Sequence, residues 1–139
     1  MNREIKFRGK RVDGKGWAYG DLVHDAFDGT SKVLPIAIRE KGENGYGYPT
    51  EVIPETVGQF IGIKDKNGVD IYEDDTIKYY HPYHKRFITE IVKWDSLFAC
   101  FALFQKYDDE WAKEFDWVKI EEVEVTGSIH DSPKLLTKY

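Results

Sequence analysis

A single cysteine, no long apolar run and no surplus of positive charge mark this chain of 139 residues, and each shortage closes off an option. Cys100 has no second cysteine for an internal disulfide, which fits a reducing compartment. No stretch is apolar enough to span a membrane, and no basic segment leads into an apolar one as a secretory signal would. A cytoplasmic protein is the expectation. Lys and Arg total 20 against 25 Asp and Glu, a formal net charge of -5 that argues against a non-specific polyanion binder.

Chemistry-bearing motifs are missing too. The glycines at 42, 45 and 47 are not followed by Gly-Lys-Ser/Thr, and no helix-forming segment opens behind them, so they are not a phosphate loop. Ser96 stands in no Gly-x-Ser-x-Gly elbow. Cys100 lies in an apolar run without a charged activator, where burial would leave it inert. The sequence therefore points to no catalytic residue, no cofactor and no enzyme. His81 and His84 with Glu73, Asp74 and Asp75 are the nearest approach to a metal cluster. A zinc site needs three or four ligands in defined geometry, and a solvated loop beside turn-capping acids explains these five better. No metal ligand is assigned.

What the chain does have is aromatic residues, 15% of its length, which a disordered tail would lack. At this size one domain spanning 1–139 is expected, with a core of its own. The stretch 54–80 organises it. Val57, Phe60, Ile61 and Ile63 form an apolar run, Lys64 to Gly68 turns the chain, and Val69, Ile71 and Tyr72 resume. Asn67-Gly68 is a strong hairpin signal because both residues tolerate positive φ. Glu73-Asp74-Asp75 then make a polar corner, in which Glu73 or Asp75 accepts backbone hydrogen bonds.

Alternation over 4–10 and 17–23, with Asp13 to Gly16 between, predicts an amino-terminal hairpin at about 3–24. Gly20 suggests a bulge or close backbone approach. Val33 to Ile38 reads as a strand that Pro35 demotes to an edge. Residues 40–50 read as an exposed loop, and about 55–132 as a barrel-like portion. Within it, 97–104 (LFACFALF) predicts a buried central strand. Asp108 to Phe115 predicts one short helix, capped by Asp108 or Asp109 with Trp111 and Phe115 on one face. Val118 to Ile129 returns to strand, with Gly127 at its end or a bulge. Trp17, Trp94, Trp111 and Trp117 read as core and rim residues.

Three segments carry a family resemblance. Arg3 to Arg11 with Trp17 to Leu22 resembles the opening of the YopX family of phage and prophage proteins. Thr56 to Gly68 followed by Asp70-Ile71-Tyr72-Glu73 resembles its middle, and Val123 to Pro133 its close. The resemblance covers nearly the whole chain. It implies a mainly β fold of antiparallel strands with a small SH3-like barrel, a bacterial host cell, and no activity that transfers to any residue. One departure stands out. The family reads Tyr-Glu-Gly-Asp where this chain has Tyr72-Glu73-Asp74-Asp75, so Asp74 is expected to take a positive φ.

Two functional classes remain. The first is an accessory or interaction protein that pairs with itself or with a phage or host protein, since small β domains must cover or pair their edges. Its basic segment 3–15 and acidic segment 108–124 suit such pairing. The second is a nucleic-acid-binding module in which Arg3, Arg8, Lys10 and Arg11 touch phosphate while Trp17 and Tyr19 stack on bases.

Overall fold

Extended backbone dominates, as the alternation in the sequence dictates. The computed structural model describes residues 3–81, 84–105, 108–113 and 122–131, with backbone alone at 46, 105 and 108–113. The chain divides into two compact units, Met1–Phe60 and Ile61–Tyr139.

In the first unit β1 (Phe7–Lys10) and β2 (Trp17–Phe27) form the expected hairpin. Asp13 closes its turn by accepting the Lys15 N–H at 3.0 Å and pairing with Arg11 at 2.7 Å. β3 (Val33–Arg39) pairs with β2 along its length, and β6 (Thr50–Glu51) pairs with β3 only at Ala37 and Ile38. Pro35, which has no N–H to give, thus lies where β3 has a partner on one side only. The strand is interior at one end and an edge at the other.

Gly20 makes the close approach its position suggested. A Cβ there would sit 2.2 Å from the Arg39 carbonyl oxygen, so no other residue fits without moving β3. The loop expected at 40–50 contains a miniature ladder, β4 (Lys41–Gly42) against β5 (Gly45–Tyr46), and its side chains are mostly exposed. Ala18, Ile38 and Val52 form the core of this unit, with Phe7, Leu22, Ile36 and Val57 against them.

β7 (Gly58–Lys64) pairs with β1 through Gly58 and Gln59 and runs on into the second unit, where β8 (Asp70–Tyr72) lies beside it. The remaining strands are β9 (Asp75–His81), β10 (Arg86–Asp95), β11 (Cys100–Gln105), β12 (Asp108–Lys113) and β13 (Glu124–Ser128). They form an antiparallel sheet in the order β12-β11-β10-β9-β13. Ile61, Ile71, Ile77, Tyr79, Val92, Leu103 and Val123 make its core. The register slips between Val125 and Gly127, which is the bulge the glycine signalled.

Two expectations need correcting. Asp108 to Lys113 is a strand and not a helix, pairing Gln105 with Asp108 and Leu103 with Lys113; residues 114 and 115 lie outside the described set. A two-turn helix is marginal alone, and the open edge of β11 offers backbone partners that outweigh the local propensity. The run 97–104 is not one buried strand either. Residues 96–99 form the turn between β10 and β11, with Ala99 at φ 53, and Leu97 and Phe98 are 82% and 65% exposed. Hydrophobicity alone does not separate a buried strand from an apolar turn. No closed barrel forms among the described residues, because the sheet order ends at β12 and β13. No helix among them is long and apolar enough to cross a membrane.

Candidate functional site

The polar corner and the turn before it have clear geometry. Gly68 takes a positive φ of 79° and donates to the Asp65 carbonyl at 3.0 Å; Asn67 takes no positive φ. The turn is held by Asp65, a residue that the pattern of apolar runs does not single out. Its carboxylate accepts the Asn67 N–H at 2.8 Å, the Val69 N–H at 2.9 Å and, sixty positions away in sequence, the Val125 N–H at 2.9 Å. Burial works against that charge, but the amides of Val125, Val69 and Asn67 outweigh it and hold the carboxyl below its ordinary range.

At the corner itself, Asp75 is 1% exposed and its carboxylate accepts the Tyr72 N–H at 2.8 Å. Asp74 adopts φ 70°, the conformation that the family pattern's glycine implied, and its carboxylate meets His130 Nε2 at 2.8 Å. Its backbone donates to the Val92 carbonyl at 2.7 Å and accepts from Ile129 at 3.0 Å. The Asp75 bond is a local carboxylate-to-backbone bond, the device of a corner, while Asp74 ties the corner to Val92, Ile129 and His130 farther along the chain. Asp75→Ala is expected to destabilise the fold by about 0.5–2 kcal/mol, as loss of a capping-type bond does. Chemical denaturation measures it, and a midpoint equal to the parent's would remove Asp75 from the corner's support.

The basic and aromatic set of the first hairpin is only partly brought together. Arg8 faces Tyr19 and Lys10 faces Trp17 across the ladder, so these four side chains share one face of the sheet. The Arg8 guanidinium lies 4.3 Å from the centre of the Trp17 ring and the Lys10 ammonium 5.7 Å from it. Arg8 is 7% exposed, which turns a presumed phosphate contact into a packed cation–π pair. Tyr19 is half-exposed, with its N–H bonded to Glu40 at 3.0 Å. Arg11 is turned toward Asp13 in the turn, and Arg3 is exposed before β1 begins.

His81 and His84 meet each other, their ring centres 4.4 Å apart, and the His84 N–H points at His81 Nδ1 at 3.2 Å. The acidic corner lies at the other end of β9, roughly 20 Å away at about 3.3 Å per strand residue. The two groups are therefore not one site. Among the described residues no set of three or more His, Cys, Asp or Glu is placed to hold a metal ion.

Beside His81, the Tyr79 hydroxyl donates to Glu90 in the interior; Glu90 is fully buried. Burial, then the bond to Glu90 and the charge of that carboxylate, push the Tyr79 hydroxyl above its ordinary range. The spacing Ile88-x-Glu90-x-Val92 put Glu90 on the core face, so this pair was legible from alternation.

Among the described residues of the second unit, the exposed aromatic side chains gather at two places. Trp94 (49% exposed) packs edge-on against Phe101 with ring centres 5.1 Å apart, next to Leu97 and Phe98 in the β10–β11 turn. Phe87 (64% exposed) faces Tyr80 across the ladder, ring centres 5.4 Å apart, with the Lys78 ammonium 4.8 Å from its ring centre. Trp94 is thus a surface residue at the sheet's rim. Trp111 and Trp117 fall outside the described side chains.

A family model described as YopX protein matches residues 6–137. No curated protein matches the chain. Among solved structures, the chain is similar to protein EF1440 from Enterococcus faecalis, with a TM-score of 0.53 and 21% identity over 97% of this chain and 99% of that one. At that identity the likeness speaks for the fold alone.

Proposed function

The chain belongs to the YopX family, and from that premise we propose a phage or prophage accessory protein that acts by contact, first of all with a second copy of itself. The observation that carries this reading is the turn between β10 and β11. Leu97 and Phe98 stand 82% and 65% exposed beside a half-exposed Trp94. Large apolar side chains held at the tip of a hairpin are the equipment of a docking surface, and Trp is among the residues that dominate contact energies. In this reading the protein catalyses nothing and resides in the cytoplasm of the bacterial host.

A second reading rests on Lys10, Trp17 and Tyr19 sharing one sheet face. It makes that face a nucleic-acid platform, but the packing of Arg8 against Trp17 and the pairing of Arg11 with Asp13 weaken it.

Size-exclusion chromatography with light scattering separates the two. The expected result is a mass above the monomer that rises with concentration and returns to the monomer in the combined Leu97→Ser and Phe98→Ser variant. A monomer mass at every concentration would sink self-association. A salt-dependent shift on adding single- or double-stranded oligonucleotide would promote the second reading.

A further inference from the structure

The first unit contains a hollow of about 840 Å³ on which the proposed contact surface does not depend. Its walls are the far half of β2, the tip of the β2–β3 hairpin, the last residue of β3 and the segment around Tyr48. The volume lies inside the range of small-molecule sites, about 300–1,000 Å³. Three features set it apart from an ordinary surface dent.

The first is Arg39. It is half-buried, it lines the hollow, and its Nε is buried with no hydrogen-bond partner among the described residues. Asp21 stands directly across from it on β2, yet no ion pair engages Arg39 among those residues. The Nε is closed to solvent and so is not the atom that meets a ligand, but a guanidinium without an ion pair is shaped to take carboxylate or phosphate oxygens two at a time through its terminal nitrogens.

The second feature is a pair of rings. Phe27 and Tyr48 both line the hollow and are 65% and 75% exposed. Tyr48 is not a loose side chain. Its ring lies against Gly29, where a Cβ would come within 2.8 Å of it, and Gly29 itself has a φ of +94°. Only glycine lets the ring rest there.

The third is the backbone between them. Asp25 takes a φ of 50° within β2, opposite Pro35, and adds a carboxylate to the wall beside the exposed imidazole of His24. An acceptor and an imidazole in a wall that also holds a cation suit hydroxyls more than a second anion.

We propose that this hollow binds an anion joined to a flat ring, a nucleoside phosphate being the simplest such ligand, with Arg39 on the phosphate and Phe27 and Tyr48 against the base. No glycine-rich loop is needed, because the guanidinium supplies the donors. A free nucleotide and the phosphorylated end of a single strand share this chemistry.

Calorimetric titration of the full chain tests it with four probes: adenosine monophosphate, adenosine, inorganic phosphate and a terminally phosphorylated oligothymidylate. Adenosine monophosphate or the oligonucleotide is expected to bind one-to-one, more tightly than adenosine or phosphate alone; whichever of the two binds tighter names the source. Arg39→Gln is expected to weaken that binding tenfold or more, and Arg39→Lys to recover only part of it, since the fork and not the charge alone is used. Gly29→Ala, which displaces Tyr48 and changes no charge, and Phe27→Ala at an exposed position are expected to weaken it too. Circular dichroism confirms that each variant is folded, and Phe27→Ala decides the matter should Arg39→Gln not fold. No binding by any nucleotide probe, equal binding of phosphate and adenosine monophosphate, or binding indifferent to the folded variants would each overturn the proposal.

Discussion

Phe60→Ala is expected to lower the free energy of unfolding by about 3–5 kcal/mol, the usual loss for a buried Phe cut back to a methyl group. The ring is 4% exposed. Its backbone is fixed by the N–H bond to the Lys6 carbonyl at 2.9 Å, so the strand cannot easily slide to close the space. The Lys6 ammonium lies 4.7 Å from the ring centre, and the truncation removes that cation–π contact together with the packing. Phe98→Ala is the natural control. That ring is 65% exposed, and at concentrations where the chain is a monomer its loss is expected to change stability by no more than about 0.5 kcal/mol. Urea midpoints at unchanged slope measure both. Equal midpoints for the parent and Phe60→Ala would show that the ring contributes nothing to the core.

The contrast between those two phenylalanines also shows what was legible in the sequence. Phe60 sits in a short apolar run that leads into a turn signal, which marks a strand, and both it and its neighbour Ile61 are buried. Phe98 sits in an unbroken apolar run, where period carries no information, and only the positive φ of Ala99 reveals the turn. Asp74 was readable because one departure from a family pattern named the backbone conformation it had to take. Asp108 to Lys113 was misread because its acids and aromatic spacing are local signals, whereas pairing with β11 is a tertiary one. Of the first-hairpin cations named with Trp17 and Tyr19, only Arg8 and Lys10 share the rings' face, and the burial of Arg8 against Trp17 depends on packing that no spacing records. Arg39 carried no signal at all. Nothing in Ala37-Ile38-Arg39-Glu40 tells that a guanidinium would end beside a hollow with its Nε unmet.

Asp65→Ala is expected to cost roughly 3–4 kcal/mol, from three hydrogen bonds to a charged acceptor at about 1.5–3 kcal/mol each. The total falls below the sum because the turn amides of Asn67 and Val69 regain water when the carboxylate is gone, while Val125 in β13 does so less readily. Since the Val125 bond spans sixty positions, its loss frees one end of β13 from the β7–β8 turn. The nearby Lys66 N–H to the Val123 carbonyl, at 3.0 Å, remains as a second tie, and the strand is not expected to detach. The same carboxylate sets a pH dependence whose sign follows from the direction of its shift. Its folded value is lowered from the ordinary 3.8, because the three amides outweigh burial. The stability it contributes is therefore fully present above the unfolded value and is lost as pH falls through the folded one. Asp65→Asn keeps the shape and one acceptor oxygen but cannot titrate. Its stability is expected to lie between those of the parent and Asp65→Ala at neutral pH, and to fall less steeply than the parent's below about pH 4. Urea unfolding of the parent and Asp65→Asn across the acid range gives the comparison directly, since every other carboxylate is common to both. Superimposable acid profiles would mean that the three amides do not hold the charged form, and the turn would then owe its register to Gly68 alone.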